Sequence, residues 1–97
     1  MIDHKALFKE VKSALSDDSV KIYLKDLGGR TCGEQLGNAI YLHPRQDILS
    51  TTIHEALHLI YPEWSEGKVI RVESSICKAL SISQFKDLLR LIAIKIR

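Results

Sequence analysis

The chain has 97 residues, of which 45% are hydrophobic and 27% are charged, and its formal net charge is +2. These values are typical of one globular domain with a modest core. The small net charge, without any run of basic residues, argues against a nucleic acid or an anionic membrane as partner. No apolar signal core and no stretch of about 18 apolar residues is present, so we expect a cytoplasmic protein. Cys32 and Cys77 are expected to be free thiols, because two cysteines do not make a disulfide framework.

The hydropathy patterns predict an α+β fold with about four helices and a small three-stranded sheet. In chain order the predicted elements are helix 3–15, strands 20–25, 31–36 and 39–43, and helices 47–61, 65–80 and 83–97. Turns are predicted at Gly28-Gly29 and Gly37-Asn38, and Pro44 ends the third strand. Three short strands joined in this way are expected to form a meander.

The helix predicted at 47–61 contains the pattern H-E-x-x-H, formed by His54, Glu55 and His58. Residues four apart on a helix lie about 5–6 Å apart at Cβ, so the two histidines can reach one metal ion. The polar side chains of this helix share an arc of roughly 140°, and they are Asp47, Ser50, Thr51, His54, Glu55, His58 and Tyr61. Lysine and arginine are missing from this arc, which is unusual for a merely solvated face. The pattern therefore indicates a metal site.

The helix predicted at 65–80 carries one carboxylate, Glu73, within its apolar face. That apolar face consists of Val69, Val72, Ile76 and Leu80. A carboxylate in such a position needs a partner, either a metal ion or a basic side chain. Since a catalytic zinc ion usually has three protein ligands and one open position, the predicted ligands are His54, His58 and Glu73. Four further residues are candidates for the third ligand: Glu66, Glu63, His43 and Cys77.

The predicted ligand set is typical of catalytic zinc, because structural zinc more often uses several cysteines. Glu55 lies about 100° around the helix from His54, so it flanks the ion without completing the ligand set. Its expected role is that of a general base, which takes a proton from the attacking water. Zinc is the expected cofactor, and it would polarise the scissile carbonyl group.

Three segments between residues 40 and 80 resemble the core of a zincin metallopeptidase: Y-L-H-P-R, T-I-H-E-A-L-H and V-E-S-S-I-C-K-A-L. The resemblance is closest to gluzincins, in which a glutamate on a second helix is the third zinc ligand. The short chain is similar to minimal gluzincins and to small H-E-x-x-H proteins of phages and prophages. The helix with Glu73 also resembles the zinc-glutamate helix of proteins that cleave phage-type repressors. This resemblance implies zinc-dependent hydrolysis of a peptide or protein substrate, which would pair with strand 40–43.

The chain departs from the gluzincin pattern after Glu73. Many gluzincins carry an acidic or amide residue there to orient the first histidine, whereas this chain has Ser74, Ser75 and Cys77. The alternative function is therefore a non-catalytic, zinc-containing interaction module, and a further alternative is a latent peptidase that a partner opens. Three side chains are candidates to stabilise the oxyanion: Tyr41, His43 and Tyr61.

Overall fold

The computed structural model describes residues 3–27, 32–43 and 47–96. The regular elements in chain order are α1 (His4–Ser16), β1 (Lys21–Leu24), β2 (Gly33–Leu36), β3 (Ala39–Leu42), α2 (Ile48–Ile60), α3 (Glu66–Ala79) and α4 (Ile82–Lys95). These four helices and the small sheet confirm the predicted α+β fold. The turn predicted at Gly28-Gly29, the strand end predicted at Pro44, and the predicted element ends at residues 31 and 97 lie outside the described residues.

The helices begin at polar capping residues, as local sequence chemistry requires. The Asp47 carboxylate accepts hydrogen bonds from the backbone N–H groups of Leu49 and Ser50, at 3.0 and 3.2 Å. Ser65 caps α3 in the predicted position, and Ser81 starts α4 slightly earlier than predicted through a capping box. The helices are 13 or 14 residues long, and in the described ranges none is long and apolar enough to cross a membrane.

The sheet has the strand order β1-β3-β2, with β3 parallel to β1 and antiparallel to β2. The predicted meander is therefore wrong, although Gly37, with φ of 58°, forms the predicted hairpin turn between β2 and β3. The central strand β3 contributes two fully buried side chains to the core, Ile40 and Leu42. Strand β2, Gly-Glu-Gln-Leu, is more polar and lies at an edge. Strand 40–43, predicted to receive a peptide, instead has a strand neighbour on each side over most of its length.

Helix α2 is the central element, since it packs against the other three helices and against β2 and β3. Its apolar side chains Ile53, Ala56 and Leu57 are fully buried. The same core contains Phe8, Val11, Leu15, Val20, Ile22, Ile40, Leu42, Val69, Val72, Ile76, Leu88 and Ile92. Only the polar stripe of α2 is left to face a groove, and the H-E-x-x-H side chains lie on that stripe.

Candidate metal centre

A groove with a volume of about 730 Å³ runs beside α2, between strand β2 and helix α3. All three motif residues, His54, Glu55 and His58, line it. The other lining residues are Cys32, Gly33, Glu34, Gln35, Asp47, Ser50, Thr51, Glu66, Ile70 and Glu73. The fold therefore brings the motif together with side chains from two other elements.

The two histidines and Glu66 form a compact cluster of possible metal ligands. The Nε2 atoms of His54 and His58 are 3.2 Å apart. One oxygen of Glu66 lies 2.5 Å from Nε2 of His54, and the other lies 3.3 Å from Nε2 of His58. Two nitrogen ligands at about 2.0–2.1 Å from a tetrahedral zinc ion are about 3.3 Å apart. The histidine pair therefore already has the spacing of ligands that share one ion.

The proton positions around His54 also fit a cation in this cluster. Oε1 of Glu73 lies 2.7 Å from Nδ1 of His54. An ionised carboxylate only accepts hydrogen bonds, so Nδ1 is the nitrogen that donates to Glu73, and the tautomer with its proton on Nδ1 presents the Nε2 lone pair to the cluster. This lone pair then faces an oxygen of Glu66 at 2.5 Å. A nitrogen and an oxygen at that distance share a proton, whereas two ligands of one tetrahedral zinc ion are about 3.3 Å apart, so Glu66 would move outward on binding the ion. The donor set of two imidazoles and one carboxylate suits zinc.

The predicted third ligand, Glu73, lies beside His54 but outside the cluster of His54, His58 and Glu66. Its carboxylate bonds the nitrogen of His54 that points away from the cluster, and Glu66 lies where the third ligand was expected. The two glutamates share one face of α3, because seven residues correspond to about two helical turns. The imidazole of His54 is therefore a partner for the half-buried carboxylate of Glu73. Three candidates for the third ligand are not among the described residues that line the groove, and they are Glu63, His43 and Cys77.

Glu55 is a buried carboxylate beside the cluster, with 7% of its surface exposed. Its nearest oxygen lies 3.9 Å from Nε2 of His54, and no hydrogen bond from a described residue engages it. Burial raises the pKa of Glu55; the nearby histidines oppose this effect, and the charges of Glu66 and Glu34 add to it. Glu55 is therefore a stronger base than an exposed glutamate, and its lone pairs are not used within the described structure.

The three side chains predicted to stabilise an oxyanion are not among the described residues that line the groove. The hydroxyl group of Tyr61 donates a hydrogen bond to Glu10, and its ring stacks on Trp64 with centroids 4.1 Å apart. Tyr41 stacks on Tyr23 on the sheet, with centroids 5.4 Å apart. His43 is buried, and its Nε2 lies 3.8 Å from Asp26. The fold thus directs these side chains into structural contacts.

Strand β2 supplies three groove residues that the sequence pattern did not single out, Gly33, Glu34 and Gln35. A Cβ atom at Gly33 would lie 2.5 Å from Cγ2 of Thr51 and 3.2 Å from Cγ of Glu55. Glycine is therefore needed for β2 to approach α2 so closely. A lone glycine at the start of a weak strand is a faint signal for such a contact, and nothing local indicates which helix it approaches.

Comparisons with protein-family models, curated proteins and solved structures find no match to this chain. The function is therefore inferred from the groove itself and from the chemistry of its side chains.

Proposed function

We propose that this protein is a zinc-dependent hydrolase of peptide bonds, with His54, His58 and Glu66 as metal ligands. The observation that carries the proposal is the convergence of the two histidine Nε2 atoms and the Glu66 carboxylate beside Glu55. Zinc bound there would polarise the scissile carbonyl group and lower the pKa of water to about 7. A His₂Glu ligand set with an open fourth position is a known catalytic type.

Glu73 acts in this proposal as a positioning residue rather than as a ligand. Its hydrogen bond to Nδ1 fixes the tautomer and the ring orientation of His54, so that Nε2 is available to the metal. Many gluzincins orient the first histidine with an acidic or amide residue after the zinc glutamate, and this chain has none there. In the proposal, Glu73 itself orients the first histidine, so no such residue is needed.

Glu55 is the proposed general base. Its carboxylate accepts a proton from the attacking water as the water oxygen bonds to the carbonyl carbon. When the carbon–nitrogen bond breaks, Glu55 passes that proton to the leaving amine. Its burial excludes solvent and raises its pKa, and both effects make it a more effective base.

The substrate is proposed to pair with strand β2, the edge strand beside the groove. Strand β3 is the only strand neighbour of β2 in the described sheet, and residues 33–35 of β2 line the groove. An extended peptide that adds to a sheet edge gains backbone hydrogen bonds and presents alternate side chains to the protein. The resemblance to zincins favours the same arrangement, with β2 in place of strand 40–43.

The test of catalysis compares the wild-type protein with Glu55→Gln on a flexible protein substrate at neutral pH. We expect cleavage by the wild type alone, blocked by a chelator, and a loss of about 10²–10⁴ in rate for the variant. Both proteins should bind about one zinc ion per chain by elemental analysis. Zinc binding without cleavage of any substrate in a broad peptide library would favour the interaction module instead.

The test of the ligand set is a zinc titration of Glu66→Gln and Glu73→Gln. We expect Glu66→Gln to weaken zinc binding most, because it removes a ligand, and Glu73→Gln to weaken it about 10–100-fold through the orientation of His54. Glu63→Gln is the matched control, since Glu63 is exposed and is not a described lining residue of the groove. A larger loss for Glu73→Gln than for Glu66→Gln would restore Glu73 as the third ligand.

A further inference from the structure

The connection between α2 and α3 lies between two of the proposed metal ligands. His58 is in the last turn of α2, and Glu66 is the first residue of α3. Tyr61 and Trp64 lie in this connection, and neither is among the described residues that line the groove. The place of Glu66 relative to the histidines therefore depends on how the connection is held.

The first turn of α3 is not held by the core at the position of Glu66. The side chain of Glu66 is 64% exposed, whereas that of His58 is 22% exposed. Gly67 and Lys68 are exposed as well, and the first buried side chain of α3 is that of Val69. Glycine also weakens a helix, because its backbone loses much freedom on folding. Contacts outside the core must therefore keep this turn in place.

Two stacked aromatic rings close the connection between the helices. The rings of Tyr61 and Trp64 are nearly parallel, at an angle of 4°, and their centroids are 4.1 Å apart. The backbone N–H of Trp64 donates a hydrogen bond to the carbonyl oxygen of Tyr61 at 3.0 Å. Both side chains also pack against the core. Aromatic pairs attract each other beyond what their buried area provides, so the stack restrains the path of the chain.

The same stack contacts three helices. The hydroxyl group of Tyr61, the residue that caps the end of α2, donates a hydrogen bond to Glu10 on α1. The ammonium group of Lys68, in the first turn of α3, lies 4.2 Å from the centre of the Trp64 ring. At that distance a cation is attracted to the face of the ring. The stack thus joins the end of α2 to the turn of α3 that carries Glu66.

We propose that the Tyr61–Trp64 stack is a positioning element of the metal centre, which keeps Glu66 within reach of the ion and contacts neither the ion nor the substrate. This inference rests on the proposed function, because it takes Glu66 as the third ligand. Without the stack, the first turn of α3 samples positions in which Glu66 is away from the histidines. The apparent affinity for zinc then falls with the fraction of molecules that have this ligand in place.

The experiment is a zinc titration of Trp64→Leu in competition with a chromogenic chelator. Leucine keeps apolar surface at this position but has no ring for Tyr61 and Lys68 to contact. We expect zinc to bind about 2–10-fold more weakly, the fold-change that corresponds to the strength of an aromatic pair. Trp64→Phe retains a ring and should bind zinc nearly as tightly as the wild type. Tyr61→Leu removes the other ring and should weaken binding by a similar factor, so a second variant is at hand if Trp64→Leu does not fold.

A double-mutant cycle with Glu66→Gln distinguishes positioning from a general loss of structure. If the stack acts through Glu66, Trp64→Leu should not change the zinc affinity of the Glu66→Gln protein. A loss of packing that reaches the histidines would instead weaken binding equally in both backgrounds. Tyr23→Leu is the matched control, because it removes a ring stacked on Tyr41, with centroids 5.4 Å apart, on the sheet. Neither tyrosine is among the described lining residues of the groove, so the control should bind zinc as the wild type does.

The outcomes separate this inference from the proposed function. Wild-type zinc affinity in Trp64→Leu, equal losses in both backgrounds, or the same loss in Tyr23→Leu would overturn the inference and leave the metal centre standing. A wild-type protein that binds no zinc would overturn the metal centre and this inference together. Weaker binding by Trp64→Leu that disappears in the Glu66→Gln background would support the inference, and if no peptide is cleaved in that case, only the proposed hydrolysis fails.

Discussion

The contact between strand β2 and helix α2 at Gly33 gives the sharpest test of the site's packing. An alanine there would place its Cβ atom 2.5 Å from Cγ2 of Thr51, which is a buried side chain. Thr51 is β-branched, so its χ1 angle is stiff and the methyl group cannot easily move away. Either β2 or α2 must shift, and Glu55, whose Cγ would lie 3.2 Å from the new atom, shifts with them.

Two effects of opposite sign determine how much Gly33→Ala changes the free energy of unfolding. Overpacking typically costs about 1–3 kcal/mol. Replacing glycine by alanine returns about 0.4–1 kcal/mol, because the unfolded chain loses freedom. We therefore expect Gly33→Ala to lower the free energy of unfolding by about 1–2 kcal/mol. If the proposed hydrolysis is correct, its rate should fall further, on the order of tenfold, because the proposed general base is displaced.

The assay is urea denaturation of four proteins in a double-mutant cycle. Thr51→Ser removes the methyl group that would clash with an alanine at position 33. In the wild-type background this loss of buried apolar surface should lower the free energy of unfolding by about 1 kcal/mol. In the Gly33→Ala protein it should lower it by almost nothing, because it also relieves the clash. Gly67→Ala is the matched control, since the nearest atom to its Cβ, Nη1 of Arg71, would lie 3.6 Å away. That helical control should be as stable as the wild type or up to about 1 kcal/mol more stable. A Gly33→Ala protein as stable as the wild type, or strictly additive effects in the cycle, would refute the packing argument.

Two further predictions concern single titratable groups. Burial, followed by the charges of Glu73 and Asp47, raises the pKa of Cys77 to about 11, whereas Cys32 is exposed. Iodoacetamide at neutral pH should therefore label Cys32 first. In the Cys32→Ser protein, mass spectrometry should detect almost no label until the protein is unfolded. Equal labelling of both thiols in the native protein would contradict this prediction. The backbone N–H and the hydroxyl group of Ser19 donate hydrogen bonds to Asp17 and lower its pKa. The ionised carboxylate therefore stabilises the fold at pH values above its unfolded pKa of about 3.9. This stabilisation is lost as the pH falls through the lower pKa of the folded state. Asp17→Asn should therefore lower the melting temperature at pH 7, and the difference should shrink as the pH falls below the unfolded pKa of about 3.9. A difference that stays constant in acid would count against this linkage.

The sequence alone determined those features that depend on neighbours along the chain. Asp47 and Ser65 were predictable as helix caps because a cap bonds backbone groups two or three residues away. The facing positions of His54 and His58 were predictable because four residues make about one helical turn. The same local periodicity identified the buried face of α3 and placed Glu73 within it.

The tertiary structure decided the strand order and the contacts of the two glutamates with His54. The order of the sheet depends on which strand edge β1 pairs with, and no local pattern specifies that choice. Glu66 and Glu73 lie on the same face of α3, so helical periodicity cannot separate them. Their contacts follow from how far α3 is translated along α2, which brings Glu66 to Nε2 of His54 and Glu73 to Nδ1. That translation is fixed by the packing of the whole core, and it is a property of the fold rather than of any segment.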